Sequence, residues 1–233
     1  MNDTIRILCY GDSNTYGYVP AGSGRRYGST IRWPMKLQSL LGDSFTVIEE
    51  GLSGRTADLA RNYESWKSGN AYLCASLSTH RPVDFLIIML GTNDLKKDFM
   101  RDEKMIAETV SHLIRDAEEF FREKQGYIPE ILLISPPHLS KAAPSGPFGS
   151  DFDIRSVQVS QKLAYEYQKI AEEHHILFLD SSLYAHVSET DGVHLDQENH
   201  LHFARAVCNV IRKWAEAHSE DHRKEHMQFI INQ

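Results

Sequence analysis

The sequence is short of cysteine, of positive charge and of long apolar runs, and each shortage excludes a class of protein. Its 3 cysteines among 233 residues are too few and too widely spaced for a disulfide framework or a CxxC metal motif. Residues 85–90 form the longest apolar run, far shorter than the ~20 residues of a membrane-spanning helix. Lysine and arginine number 25 against 32 aspartates and glutamates, a balance unsuited to holding a phosphate backbone. We therefore expect neither a membrane nor a nucleic acid as a partner.

The composition is otherwise that of an ordinary globular protein of a reducing compartment. Hydrophobic residues make up 41% and charged residues 24%, and the length suits one large domain. Met1 is not followed by the basic and apolar regions of a signal peptide, and the sparse cysteines are typical of a cytoplasmic protein. Because there is no internal repeat or low-complexity linker, we predict a single domain over residues 1–233, with a charged C-terminal tail at 218–233.

Short apolar runs alternate along the chain with longer amphipathic segments. Nearly continuous apolar runs are typical of strands that are covered on both faces in a parallel sheet. The predicted strands are Ile5–Tyr10, Phe45–Ile48, Phe85–Leu90, Ile131–Ile134 and Ile176–Leu179. The alternation implies right-handed βαβ crossovers and so predicts an α/β fold. We expect a three-layer α/β/α sandwich around a doubly wound, parallel five-stranded sheet of flavodoxin-like order 2-1-3-4-5.

Apolar residues at helical spacing predict the helices that cover this sheet. Two short helices are predicted at Trp33–Leu41 and Ala71–Ser78. Three longer ones are indicated by apolar stripes within residues 106–121, 159–170 and 204–214. The segment Pro136–Asp153 holds four prolines and is predicted to be a long irregular loop, which in a compact domain is often functional.

Polar, glycine-containing segments follow three of the predicted strands. Ser13 lies in Gly-Asp-Ser-Asn at 11–14, directly after the first strand, where ligands bind in open parallel sheets. Gly54 follows the second strand, and Asn93 lies in Gly-Thr-Asn-Asp after the third. Each segment alone is more often a turn or a helix cap than a site. Because the carboxyl ends of parallel strands meet at one edge of the sheet, however, the three turns are expected to converge.

Asp191 and His194 precede the last predicted helix and lie three residues apart. A serine nucleophile needs a base to take its proton, and that base needs an orienting carboxylate. One turn could present both side chains, although Asp-Gly is also an ordinary turn signal. Together with Ser13, this pair predicts nucleophilic catalysis.

In their residues and their order, these segments resemble the conserved blocks of the SGNH (GDSL-type) family of esterases and acyl hydrolases. Its four blocks are matched in order by 11–14, Gly54, 91–94 and 191–194, which span most of the chain. The residues around the second and third blocks are most similar to those of the arylesterase/acyltransferase branch. Two residues depart from the pattern, since the family has Leu where Asn14 stands and the branch has Trp where Tyr16 stands.

The resemblance implies a role for each matched residue. Ser13 would be the nucleophile, His194 the general base and Asp191 the group that orients it. The backbone N–H groups of Ser13 and Gly54 and the side-chain amide of Asn93 would form the oxyanion hole. Three further residues are expected to contact the substrate: Asp12, Tyr16 and Phe148.

The implied activity is serine-dependent hydrolysis of short-chain aryl or acetyl esters through an acyl-enzyme, with acyl transfer to alcohols as a second outcome. A carbohydrate O-acetyl esterase or a thioesterase would use the same triad. The resemblance implies no cofactor, no metal, a small-molecule ester as the substrate, and a homo-oligomer. The Pro136–Asp153 loop starts at the same sheet edge as Ser13 and carries Phe148 and Phe152, so we expect it to make a subunit contact and to help shape the acyl pocket. The alternative is that both phenylalanines pack on their own subunit. Arg55 is interpreted as structural, paired with Glu49 or Glu50, with a substrate contact as the alternative.

Three interpretations from other classes were weighed against this one. The stretch 191–202 is as rich in Asp and His as a metal site, but His200 and His202 would point about 200° apart on a helix, and no H-E-x-x-H motif occurs. Residues 22–28 are similar to a dinucleotide fingerprint, but the third glycine is one place late and no strand precedes it. A non-catalytic binding module would be expected to lack Ser13, His194 or an oxyanion donor.

Overall fold

A parallel sheet of five strands organises the chain. The computed structural model describes residues 4–21, 23–58 and 64–217, so the predicted tail at 218–233 lies outside the described residues. The strands are β1 (Ile5–Gly11), β2 (Phe45–Gly51), β3 (Phe85–Met89), β4 (Glu130–Ser135) and β5 (Leu177–Asp180). All neighbouring strands are parallel, and their order is β2-β1-β3-β4-β5. The predicted α/β fold and strand order are confirmed.

Seven α-helices are found in the described part of the chain, in two layers that cover the sheet. They are α1 (Ser13–Tyr16), α2 (Trp33–Leu41), α3 (Gly69–His80), α4 (Glu103–Lys124), α5 (Ile154–Ser160), α6 (Leu163–His174) and α7 (Gln197–Ala217). Short 3-10 turns lie at Ser65–Lys67, Asn93–Leu95, Lys97–Phe99 and Ser181–Leu183. None of the helices in the described ranges is both long enough and apolar enough to cross a membrane.

Strand β3 shows how the sheet divides the core. Phe85 and Ile87 pack into the core that α2 and α7 share with the sheet, whereas Leu86 and Ile88 pack into the core on the side of α3, α4 and α6. Side chains alternate between the faces of a strand, so a strand covered on both faces must be apolar throughout. All five residues of β3 are at most 1% exposed, which explains why its sequence shows no polar alternation.

One predicted helix proved to be two. The apolar stripe within 159–170 predicts a single helix, but α5 ends at Ser160 and α6 begins at Leu163. The hydroxyl of Ser160 donates to the carbonyl oxygen of Val157 at 2.7 Å and accepts from the backbone N–H of Leu139 at 3.1 Å. Serine side chains that bond the backbone in this way compete with helix continuation, and here Ser160 ties the end of α5 to the loop after β4.

The proline-rich loop is irregular, as predicted, and packs against the segment that carries the histidine. No helix or strand occurs between Pro136 and Asp153. The N–H of Ser140 donates to the carbonyl oxygen of Gly192 at 3.0 Å. A Cβ on Gly192 would lie 2.2 Å from the backbone nitrogen of Ala143, so this close approach of two backbones requires glycine.

Candidate active site

The end of β1 and the start of α1 hold Ser13 at the carboxyl edge of the sheet. The side chain of Asp12 accepts a hydrogen bond from the N–H of Asn14 at 2.9 Å and so caps this four-residue helix. A Cβ on Gly11 would lie 2.1 Å from the hydroxyl of Thr15, which leaves glycine as the residue that fits. The sharp turn from strand to helix therefore depends on Gly11 and Asp12, and it directs Ser13 toward the loop before α7.

Ser13, His194 and Asp191 form a continuous hydrogen-bonded chain. The Oγ of Ser13 lies 3.0 Å from Nε2 of His194, and Nδ1 of His194 lies 2.8 Å from Oδ2 of Asp191. With its proton on Nδ1, the imidazole donates to the carboxylate and leaves Nε2 as an acceptor for the serine hydroxyl. The serine and histidine are 5% and 4% exposed, and the aspartate is fully buried.

The environment of Asp191 favours its charged form. Its Oδ1 accepts from the N–H groups of Val193 and His194, both at 3.0 Å, and its Oδ2 accepts from the N–H of Ala21 at 2.9 Å. Burial acts to raise the pKa of this carboxyl, but the hydrogen bonds from His194 and the backbone outweigh it and hold the pKa below its usual value. Asp191 therefore presents a fixed negative charge to the imidazole at neutral pH.

Asn14, which departs from the family pattern, joins the serine segment to the histidine segment. Its Nδ2 donates to the carbonyl oxygen of Val193 at 3.2 Å, and its Oδ1 accepts from the N–H of Leu195 at 2.9 Å. These two residues flank His194 on both sides. The amide of Asn14 thus fixes the histidine backbone relative to the helix that carries Ser13, a contact that was not predicted.

Two of the three predicted oxyanion donors, Gly54 and Asn93, lie on adjoining turns beside β1. Gly51 is paired in register with Gly11, and the N–H of Leu52 donates to the carbonyl oxygen of Gly11 at 3.1 Å. Gly54 follows with a φ of 85°, a conformation that favours glycine. Asn93 is 7% exposed, and its Nδ2 donates to the carbonyl oxygen of Arg55 at 3.1 Å. This contact uses one of the two N–H groups of the amide.

Asp94, for which the sequence analysis predicts no role, connects the turns that follow β2 and β3. It is fully buried; its Oδ2 accepts from the N–H of Ala57 at 2.9 Å, and its Oδ1 is paired with Arg101. Burial raises the pKa of this carboxyl to about 6, against the lowering effect of Arg101. A single side chain therefore connects the turn after β3, the turn after β2 and the segment before α4.

Aromatic rings surround the imidazole. Tyr18 stacks on His194 with ring centroids 4.4 Å apart and planes inclined by 26°. Phe148 meets the same imidazole edge to face at 5.1 Å and contacts Tyr18 at 6.1 Å. The predicted substrate contact Phe148 thus lies at the candidate site, and Tyr18, which the sequence reasoning missed, lies there with it.

The other two predicted substrate contacts lie in different surroundings. Asp12 is fully buried, and its contact with Asn14 is that of a helix cap. Tyr16 is half-buried, and the guanidinium carbon of Arg26 lies 4.4 Å from its ring centroid. Neither residue is brought against His194 as Phe148 is, so their contact with a substrate stays a prediction.

The residues considered for a metal site are distributed among other contacts. His200 is fully buried, its Nδ1 accepts from the N–H of Trp33 at 3.3 Å, and burial lowers its pKa to about 4. His202 lies 3.9 Å from Glu198 on the surface of α7. Within 4–21, 23–58 and 64–217 no three His, Cys, Asp or Glu side chains are grouped so that they could hold a metal ion.

Comparisons with known proteins agree with the geometry. The family model for GDSL-like lipases and acylhydrolases matches residues 9–207. The structure of an aryl esterase from M. smegmatis is 34% identical and superposes with a TM-score of 0.83, covering 89% of this chain and 98% of that one. A carbohydrate acetylesterase from Sinorhizobium meliloti is 30% identical with a TM-score of 0.83, covering 90% of this chain and 99% of that one.

A curated acetylxylan esterase from Xylanibacter ruminicola is 26% identical over 90% of this chain, which spans only 44% of that longer protein. The family match and the two structural relatives confirm the resemblance found in the sequence. The chain belongs to the GDSL-like lipase/acylhydrolase family of carboxylic ester hydrolases.

Proposed function

We propose that Ser13 is the nucleophile of this esterase, His194 its general base and Asp191 the group that holds the imidazole in place. The observation that carries this proposal is the 3.0 Å contact between Nε2 of His194 and Oγ of Ser13. As Oγ attacks the ester carbonyl carbon, its proton passes to Nε2, and the positive charge that forms on the imidazole is stabilised by the carboxylate of Asp191.

The negative charge on the carbonyl oxygen is held by N–H donors. We assign these to the backbone N–H groups of Ser13 and Gly54 and to the side chain of Asn93, which lie on adjoining turns at the end of β1, β2 and β3. Collapse of the tetrahedral intermediate breaks the bond to the alcohol, which leaves with the proton from Nε2. Water then releases the acid from the acyl-enzyme, and an alcohol that reaches it first takes the acyl group instead.

The substrate we propose is an ester with a short acyl chain, either an aryl or an acetyl ester. Tyr18 and Phe148 pack against the imidazole, and we expect them to restrict the room beside His194 for a long acyl chain. The names of the related proteins, an aryl esterase and a carbohydrate acetylesterase, support the same pair of substrate classes.

We further propose that the protein works as a homo-oligomer in the cytoplasm. Met100 is 76% exposed and Ile154 58% exposed, and Arg155, the residue after Ile154, donates to the carbonyl oxygen of Met100 at 3.5 Å. Association of identical chains would cover them. The free cysteines Cys9, Cys74 and Cys208 fit a reducing compartment. Light scattering of the wild type and of the double variant Met100→Ser, Ile154→Ser tests the assembly.

The nucleophile is tested by covalent labelling, for which the chain offers a matched control. Ser111 on α4 lies 2.9 Å from Nε2 of His174, whose Nδ1 lies 3.3 Å from Glu118, so a second Ser-His-acid chain exists between two helices. The N–H of a residue inside a helix is bonded to the preceding turn and is not free to bind an oxyanion. A fluorophosphonate probe should label the wild type and Ser111→Ala once per chain, and should not label Ser13→Ala.

Activity on p-nitrophenyl acetate should follow the labelling and should be the same with and without EDTA. Labelling that survives in Ser13→Ala, or that disappears in Ser111→Ala, would contradict the assignment of the nucleophile. A wild type that is neither labelled nor active would instead favour a binding protein without catalysis.

A further inference from the structure

A cavity of about 410 Å³ lies beside the turn that follows β2, on the side of the sheet covered by α3. Its walls come from the end of β2, the turn after it, the 3-10 turn at Ser65–Lys67 and the start of α3. The residues that matter here are Glu50, Arg55, Trp66 and Tyr72. A substrate contact is the alternative interpretation of Arg55 alone among these residues, and none of them belongs to the proposed triad or oxyanion hole.

Arg55 is a buried cation, and some of its N–H donors make no hydrogen bond within the protein. The residue is 2% exposed. Its Nη1 donates to the carbonyl oxygens of Gly11 and Glu50, but its Nε is buried without any acceptor. Its Nη2 lies 3.8 Å from the carboxylate of Glu50, beyond hydrogen-bond distance. The donor that a ligand in the cavity could use is therefore Nη2, whereas the fully buried Nε is out of its reach.

Glu50 sets the charge of the cavity. One of its oxygens lies 2.7 Å from Nε2 of His80, and the other faces Arg55. Of the two partners predicted for Arg55, Glu50 is the one that faces it. Glu49 pairs instead with Arg32 at 2.7 Å. A carboxylate beside the guanidinium repels an anionic ligand and offers acceptors to hydroxyl groups. The cavity thus favours a neutral ligand that both donates and accepts hydrogen bonds.

Two aromatic rings border the same space and remain accessible. Trp66 is 57% exposed and Tyr72 is 41% exposed. The guanidinium carbon of Arg55 lies 5.4 Å from the ring centroid of Tyr72, so the aromatic and the polar walls adjoin. An aromatic face offers apolar contact area at a small cost in conformational entropy, and a sugar ring presents C–H groups to such a face while its hydroxyls point to the sides.

We propose that this cavity binds a neutral sugar residue, which is the alcohol part of the ester or is joined to it. The proposal rests on the proposed function, because it adds an alcohol subsite to the esterase. Trp66 and Tyr72 form the stacking wall, and Arg55 and Glu50 bind the hydroxyls. The carbonyl oxygen of Arg55 accepts from Asn93, and Gly54 precedes it in the same turn. A sugar in the cavity therefore contacts the turn that also carries a proposed oxyanion donor.

The experiment compares one sugar ester with one ester that has no sugar. kcat/KM is measured for an acetylated xylotriose and for p-nitrophenyl acetate with the wild type, Trp66→Ala and the control Tyr165→Ala. Tyr165 on α6 is 66% exposed and lies outside the cavity. We expect the ratio of the two constants to fall about tenfold in Trp66→Ala, as loss of an aromatic contact implies, and to be unchanged in the control.

Binding without catalysis is measured separately. Trp33 and Trp214 are at most 5% exposed, so Trp66 is the tryptophan that a ligand in solution can reach. Unacetylated xylotriose should change the emission of the wild type with saturation and should leave Trp66→Phe unchanged. This titration does not depend on Ser13, so it separates failure of the subsite from failure of the esterase.

Two results would overturn the proposal. The first is an equal loss of both activities in Trp66→Ala, which would mean that the residue acts through the fold. The second is a wild type whose emission does not respond to xylotriose and whose activity is confined to the aryl ester. Activity on neither ester, with saturable binding of xylotriose, would contradict the proposed function and leave the sugar site standing.

Discussion

The phenol ring of Tyr18 lies stacked on the imidazole of His194, with the ring centroids 4.4 Å apart. In the proposed reaction this imidazole gains a proton and a positive charge each time Ser13 attacks. A cation within about 6 Å of an aromatic face is stabilised by the ring, and more strongly where water is excluded. In the proposed reaction the stacked ring therefore stabilises the transition state, in which the imidazole is becoming an imidazolium, and its contact with one face of the imidazole opposes rotation away from the serine.

Replacement of Tyr18 by leucine should lower kcat roughly tenfold and change KM less, because the contact strengthens as the imidazolium forms. Tyr18→Phe keeps the ring and loses the hydroxyl, which accepts from the N–H of Gly24 at 2.9 Å. It should retain most of the activity on p-nitrophenyl acetate. If the phenylalanine variant loses as much as the leucine variant, Tyr18 acts by anchoring its loop and the ring has no part in the chemistry.

Asn93 is expected to bind the oxyanion through its side-chain amide, whose Nδ2 also donates to the carbonyl oxygen of Arg55. Asn93→Ala should reduce kcat about 100-fold with little change in KM, since the donor is needed mainly in the transition state. Steady-state kinetics on p-nitrophenyl acetate provide the measurement. Asn199, which lies at the start of α7 and contacts Asp196, gives the control variant Asn199→Ala. A rise in KM alone for Asn93→Ala would place the amide in ground-state binding.

The buried carboxyl of Asp94 predicts a particular dependence of stability on pH. Its pKa in the folded protein is about 6, above the value near 4 of an unfolded aspartate. Between these values the folded state binds more protons than the unfolded state, so the contribution of this group to the free energy of unfolding decreases as the pH rises. Below about pH 4 both states are protonated and the difference disappears.

Asp94→Asn removes this titration. Urea unfolding of the wild type and the variant at several pH values should show the wild type losing up to about 3 kcal/mol relative to the variant between pH 4 and pH 6.5. The lost contacts of the protonated side chain add an offset that does not depend on pH in this range, whereas the charged pairing with Arg101 is already contained in the pKa. Asp98, an exposed carboxyl close by in sequence, provides the control Asp98→Asn. Parallel curves for wild type and Asp94→Asn would contradict the prediction.

The architecture could be predicted because its determinants are local. Strands buried on both faces must be apolar throughout, and the handedness of the crossovers then leaves few possible strand orders. The helix at Trp33–Leu41 was predicted with correct ends because Pro34 suits a first turn and Gly42 follows its end. The apolar stripe within 159–170 predicts one helix where the structure has two. Periodicity carries no information about the hydroxyl of Ser160, which bonds the backbone at the end of α5.

Some residues of the candidate site could likewise be predicted from local sequence, and others could not. Ser13, Asp191 and His194 were predicted from motifs, and the structure brings their side chains together. Tyr18 and Asn14 were not predicted to contact His194 or its neighbours, because these contacts join segments far apart in sequence. Whether a tyrosine in a loop stacks on a histidine near the other end of the chain depends on the path of that loop, which no local pattern specifies.

Phe148 lies beside His194 and is therefore expected to select the acyl chain. Its ring lies edge to face with the imidazole at 5.1 Å, and it is half-buried against the core on the side of α4 and α6. Phe148→Ala should open space beside His194, so that kcat/KM rises for longer acyl chains and falls for acetate. One methylene in an apolar pocket changes kcat/KM by at least about tenfold, so the ratio of hexanoate to acetate should increase by about tenfold or more. A p-nitrophenyl ester series from acetate to octanoate measures it. Phe120→Ala on α4 removes a similarly half-buried ring away from the site and should leave the profile unchanged; the same profile in both variants would show that Phe148 supports the fold and does not shape the acyl pocket.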